Sequence, residues 1–109
     1  MKIDFNDIPE KVLPHFQGGE KEFHARMFVD EHNKIMRATL IPGATIGMHC
    51  HETSSEILVI TSGEGQVVYD GDIIPLKAGD CHYCPKGHSH SLMNTSDADL
   101  SFFAVVPQQ

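Results

Sequence analysis

From residue 23 onward, apolar and β-branched residues come in short runs broken by turn-forming residues, with no long helical period. The pattern predicts strands over 23–30, 35–41, 46–51, 56–61, 66–69, 72–75, 81–84, 88–93 and 100–106. The breaks between them are chemically explicit. Pro42-Gly43, Ser62-Gly63-Glu64-Gly65, Lys77-Ala78-Gly79-Asp80 and Pro85-Lys86-Gly87 each end a run. Asp70-Gly71 between apolar runs signals a two-residue hairpin, because glycine accepts the positive φ such a turn needs. Short strands with turns every 8–12 residues indicate an all-β sandwich or barrel. Residues 1–22 read differently. Pro9 and Pro14 limit any helix there to a turn or two, and Gly18-Gly19 closes this irregular arm.

The chain has 109 residues, enough for one domain, a barrel over 23–109 preceded by the arm 1–22. The formal charge of −7 argues against nucleic acid and anionic membranes as partners, since an acidic surface repels phosphate. Apolar runs such as Phe102-Phe103-Ala104-Val105-Val106 are too short to span a bilayer, and the N-terminus lacks a signal-peptide pattern. Three cysteines, Cys50, Cys81 and Cys84, follow no secretory disulfide pattern. The expectation is a cytoplasmic protein.

Histidine changes the picture. Five of the eight histidines, His49, His51, His82, His88 and His90, fall within 42 residues. His49 and His51 are two apart, so on a strand both imidazoles leave the same face and Cys50 leaves the other. Glu56 opens the next run, expected to return antiparallel beside the first. His90 lies 34 residues later on another strand. Three imidazole nitrogens and one carboxylate suit a first-row divalent metal, and four protein ligands on an octahedral ion leave two positions for water, substrate or oxygen.

At these residues the chain resembles the cupin superfamily. The first cupin motif is matched by Gly43, His49, His51, Glu56 and Gly63, and the second by Gly79, Pro85, Gly87, His90 and Asn94, all at permitted spacings. Each of these residue types makes up only about 5–7% or less of average usage, so chance agreement is remote. The resemblance implies a single-domain cupin β-barrel, the double-stranded β-helix or jelly roll. It implies that His49, His51, Glu56 and His90 hold one divalent transition metal per chain, whether Fe, Mn, Ni, Zn, Co or Cu. It also implies a homodimer, commonly with the arm crossing to the partner.

The implied function is a metal-dependent enzyme acting on a small polar metabolite, of dioxygenase, isomerase or decarboxylase type. The alternative is a non-catalytic module that binds or senses a small molecule, with the metal as anchor. A purely structural metal is a third reading. His88 shares parity with His90 and is the candidate proton donor to substrate. Cys81 and Cys84 point to opposite faces of one strand, which favours packing over a redox or zinc site. Either His82 with Cys84 or Cys81 with Tyr83 faces the interior. Arg37 is read as a solvated sheet residue.

Overall fold

Alternation sets the architecture most plainly in the last strand, where Leu100, Phe102, Ala104 and Val106 are buried and the residues between them are less so. A computed structural model describes residues 1–109. Its strands are β1 (Lys11–Pro14), β2 (Glu22–Val29), β3 (Asn33–Leu40), β4 (His49–Cys50), β5 (Glu56–Ser62), β6 (Glu64–Tyr69), β7 (Asp72–Lys77), β8 (Cys81–Cys84), β9 (Ser89–Met93) and β10 (Leu100–Pro107). Two single 3₁₀ turns, Phe5–Asp7 and Phe16–Gly18, complete the chain.

The strands form a six-stranded sheet, β1-β2-β3-β10-β5-β8, and a four-stranded sheet, β4-β9-β6-β7, with every neighbour antiparallel. The all-β jelly roll expected from the sequence is present. No strand pair crosses between the sheets, so the barrel is two facing layers and not a closed hydrogen-bonded cylinder. Between them lies one apolar cluster with contributions from both layers, including Phe23, Leu40, Leu58, Ile60 and Phe102 from one and Val67, Leu76 and Leu92 from the other. Phe23 and Phe102 stack with ring centroids 6.1 Å apart. Full burial of an aromatic side chain of this size stabilises by roughly 1.5–3 kcal/mol.

The Asp70-Gly71 hairpin forms as expected, with φ of 49° and 86° at the two residues, between the pair Tyr69 and Asp72. Three readings are corrected. The strand expected over 46–51 shrinks to His49–Cys50, because the arm captures the backbone there: the Gly47 amide donates to the Phe16 carbonyl at 3.0 Å. β5 does not return beside β4. It lies between β10 and β8 in the larger sheet while β4 pairs with β9 in the smaller, since the turn 52–55 carries the chain across the gap between layers. The arm also contains an unanticipated strand, β1, which extends the sheet from β2. Its terminal Pro14 sits at the sheet edge, where a missing N–H costs no ladder bond. The connection to β2 turns through positive φ at His15, Gln17, Gly18 and Lys21.

Candidate metal centre

The crossing of the chain between layers is what assembles the site. His49 pairs with His90 across β4 and β9 in the smaller sheet, His51 follows just past β4, and Glu56 arrives from the facing sheet as the first residue of β5. One ligand atom from each of these four residues falls within 4.8 Å of the others. His90 Nε2 lies 2.9 Å from His51 Nε2, 3.1 Å from His49 Nε2 and 3.0 Å from Glu56 Oε1. His51 Nε2 is 3.1 Å from Glu56 Oε1, and His49 Nε2 is 3.9 Å from it. His51, Glu56 and His90 are buried, and His49 is partly exposed.

The remaining ring nitrogens are held from behind. His49 Nδ1 donates to the Gly47 carbonyl at 2.8 Å, which leaves the lone pair of a neutral ring on Nε2. His51 Nδ1 is 2.9 Å from Ser54 Oγ. His90 Nδ1 is 3.0 Å from His82 Nε2. Burial, reinforced by the neighbouring His90, pushes His82 down to about 4, so at neutral pH its ring is uncharged and can accept from His90. With all three Nδ1 atoms engaged, the three Nε2 atoms crowd together beside a carboxylate, an arrangement suited to a shared cation. The spacing fits such an ion: metal–nitrogen bonds of about 2.1 Å at right angles require ligand atoms about 3.0 Å apart. His49, His51, Glu56 and His90 therefore form a group that could hold a divalent metal.

Burial would raise the Glu56 carboxyl, but hydrogen bonds from His49, His51 and His90 outweigh it and hold the group well below the ordinary carboxylate range. Burial opposes charge on His49 as well, yet the Glu56 carboxylate and the Gly47 carbonyl leave that ring raised above its usual value. The centre thus holds an ionised carboxylate beside three imidazoles.

Three of the four, His49, His51 and Glu56, border a cavity of about 350 Å³. His49, His51, Glu56, Lys34 and Glu52 are among its polar lining residues, and Phe16, Phe23, Met36, Ile46 and Val106 among its apolar ones. His88 is not among the residues lining this cavity. It precedes β9, and its half-exposed ring turns to Asp70, Nδ1 to Oδ2 at 2.6 Å, and stacks on Tyr69 with centroids 5.7 Å apart. Arg37 is exposed and binds the arm, donating to Asn6 Oδ1 at 3.1 Å with Phe5 beneath its guanidinium. Of the two faces of β8, His82 and Cys84 point inward and Cys81 and Tyr83 outward. All three cysteines are free, and burial pushes the Cys84 thiol up to about 11, a packing group and not a nucleophile.

The supports behind the four ligand candidates are what sequence reasoning missed. Ser54 read only as part of a polar turn, although its place three residues after His51 was a usable sign. The Gly47 carbonyl carries no residue-type signal at all. His82 was one of two open choices until the register of β8 against β5, Leu58 opposite His82, placed it inside.

Comparison with known proteins agrees with this picture. The sequence profile of the family described as "Cupin domain" matches residues 36–106. The "Oxalate-binding protein" of Thermotoga maritima is 35% identical over 112 residues, covering 97% of this chain and 93% of that protein. A solved structure from Thermotoga maritima, described as a predicted oxalate decarboxylase, superposes over both whole chains with a TM-score of 0.93 at 31% identity. The polyketide cyclase RemF of Streptomyces resistomycificus shares the fold with a TM-score of 0.81 at 18% identity, over 98% of this chain and 78% of that one.

Proposed function

The chain belongs to the cupin family, and on that premise we propose that it binds a small organic carboxylate through a divalent transition-metal ion held by His49, His51, Glu56 and His90. The observation that carries this reading is the convergence of those four ligand atoms beside a 350 Å³ cavity that three of the residues, His49, His51 and Glu56, line. When bound, the ion supplies a Lewis-acidic pole for carboxylate oxygens. The chain supplies the rest. Gly47, Ser54 and His82 fix the three rings so that Nε2 faces inward. Glu56 stays ionised beside them and offsets the ion's charge. Lys34 adds a cation to the cavity lining that attracts an anionic ligand. The name of the Thermotoga maritima relative, an oxalate-binding protein, supports the ligand class.

Turnover is the second reading, favoured by Glu52. This exposed carboxylate lines the same cavity and can exchange a proton between ligand and solvent. Calorimetric titration of oxalate into protein stripped of metal, and into protein reloaded with Mn²⁺, tests the primary reading. Binding is expected in the loaded protein and lost in Glu56→Gln. Equal binding with and without metal would overturn it. Product analysis of the same mixtures decides between binding alone and turnover.

A further inference from the structure

The cavity is too large for oxalate alone, and five of its lining side chains, Phe16, Phe23, Met36, Ile46 and Val106, are apolar. Resting on the carboxylate reading above, we infer that the natural ligand has two parts: a chelating head with a carboxylate and an adjacent oxygen, and an apolar body of several carbons. A 2-oxo acid with a branched aliphatic or aromatic side chain has this chemistry.

Volume is the first argument. At about 30 Å³ per water, 350 Å³ is equivalent to about a dozen waters. A ligand of six non-hydrogen atoms displaces on the order of 100 Å³ by the same measure, less than a third of the space. The remainder would hold water against hydrocarbon.

The wall chemistry is the second. Phe16, Phe23, Met36, Ile46 and Val106 come from five separate stretches of chain: the arm turn, β2, β3, the approach to β4, and β10. Phe23, Met36, Ile46 and Val106 are all buried, so this side is continuous with the core and not an accident of the surface. Phe16 and Phe23 lie with ring centroids 5.0 Å apart and give the wall an aromatic face. The same cavity is lined by the imidazoles of His49 and His51 and the carboxylate of Glu56. A cavity lined by both apolar and polar groups recognises a molecule that carries both.

The third is the position of Phe16. It stands on the arm, and its carbonyl accepts from the Gly47 amide, while the Gly47 carbonyl accepts from His49 Nδ1. One residue, Gly47, thus ties Phe16 to the ligand set, so this part of the wall is registered to the centre.

The test is calorimetry on the Mn²⁺-loaded protein with oxalate, pyruvate, 2-oxo-4-methylpentanoate and phenylpyruvate, with bound metal measured independently by elemental analysis. Pyruvate and 2-oxo-4-methylpentanoate share one head and differ by three buried carbons. At about fourfold per buried methylene, the longer acid should bind roughly 50-fold more tightly. Phe16→Ala should narrow that difference with bound metal unchanged. If oxalate and pyruvate bind and affinity is flat or falls with chain length, this inference is wrong and the carboxylate reading stands. If metal binds and no carboxylate does, both are overturned, as they are if metal does not bind.

Discussion

Replacing His82 by phenylalanine isolates the support behind one ligand candidate without touching the ligand set. His82 and His90 are both buried, and the 3.0 Å contact from His90 Nδ1 to His82 Nε2 is the hydrogen bond that holds the Nδ1 side of the His90 ring. Phenylalanine fills similar space and cannot accept, so His90 Nδ1–H is left buried and unpaired. At neutral pH no charge is removed, because burial already holds His82 uncharged down to about pH 4. An unsatisfied buried donor costs about 1–3 kcal/mol, which is roughly 5- to 150-fold in metal affinity, since the ring escapes the cost by turning Nδ1 towards the centre. That range agrees with the roughly 10- to 100-fold loss usual when the partner of a metal-ligating histidine is removed. Competition against a chromophoric chelator at pH 7.5 measures it. His82→Gln, whose amide oxygen can accept, should recover most of the loss. The unfolded ring protonates near 6.5 and the folded ring near 4, so His82 makes the metal-free fold lose stability as pH falls between those values. His82→Phe should flatten that part of the pH–stability curve. Wild-type affinity in a folded His82→Phe protein would refute the reasoning. Equal loss in the Phe and Gln variants would refute it too, since packing alone would then explain the effect.

Gly47→Ala should cost several times what Gly18→Ala costs in thermal stability. An added Cβ at Gly47 meets the Gln17 carbonyl oxygen at 1.9 Å, whereas Gly18 has open space and only its positive φ of 79° to oppose a side chain, about 1–2 kcal/mol. Scanning calorimetry separates the two, and equal midpoints would show that the arm is not packed as described. The arm should also be pH-sensitive. Hydrogen bonding to Glu10 raises His24 above 6.5, and the same contact lowers Glu10 below 4.5. His24 therefore contributes fully below 6.5 and loses its contribution as pH rises through its raised value, while Glu10 contributes fully above 4.5 and loses it as pH falls through its lowered value. Protection of residues 8–14 from proteolysis should peak between those limits, and a flat profile, or one unchanged in Glu10→Gln, counts against the contact. Asn94→Leu should lower the midpoint by on the order of 10–25 °C, from about 2–4 kcal/mol of lost pairing. Its buried amide donates to the Leu40 and Ala98 carbonyls and accepts from the Ser96 amide and hydroxyl. A shift of only a degree or two in a urea or thermal melt would show those bonds to be dispensable.

What could be read along the chain follows from the range of each signal. A strand's period of two and the glycine, proline and aspartate of its turns are local, so every run expected after residue 22 contains a strand, the 46–51 run only over His49–Cys50. β1 escaped because Lys11–Pro14 has no alternation, and it is paired only because His15, Gln17 and Lys21 adopt positive φ that their side chains do not advertise. The choice of neighbours is not local. β5 lies beside β10 and β8, and no feature of Glu56–Ser62 says so; placing it beside β4 was the natural error of reading sequence order as spatial order.

The ligand candidates escaped that error for a physical reason. Parity alone put His49 and His51 on one face, whichever strand lies next to them. Glu56 reaches the same point although its strand belongs to the other sheet, since a carboxylate facing inward across a two-layer core meets imidazoles facing inward from the other layer. Inwardness was readable, adjacency was not, and a centre lying between the layers needs only inwardness. The same distinction explains what was missed. The hydrogen bonds from Gly47, Ser54 and His82 depend on one particular atom lying behind one particular ring, and the apolar wall depends on an arm turn docking at Gly47. These are adjacency facts. Sequence pattern therefore speaks to the identity of the ligand set, whereas affinity for metal and choice of ligand rest on contacts that only the three-dimensional arrangement reveals.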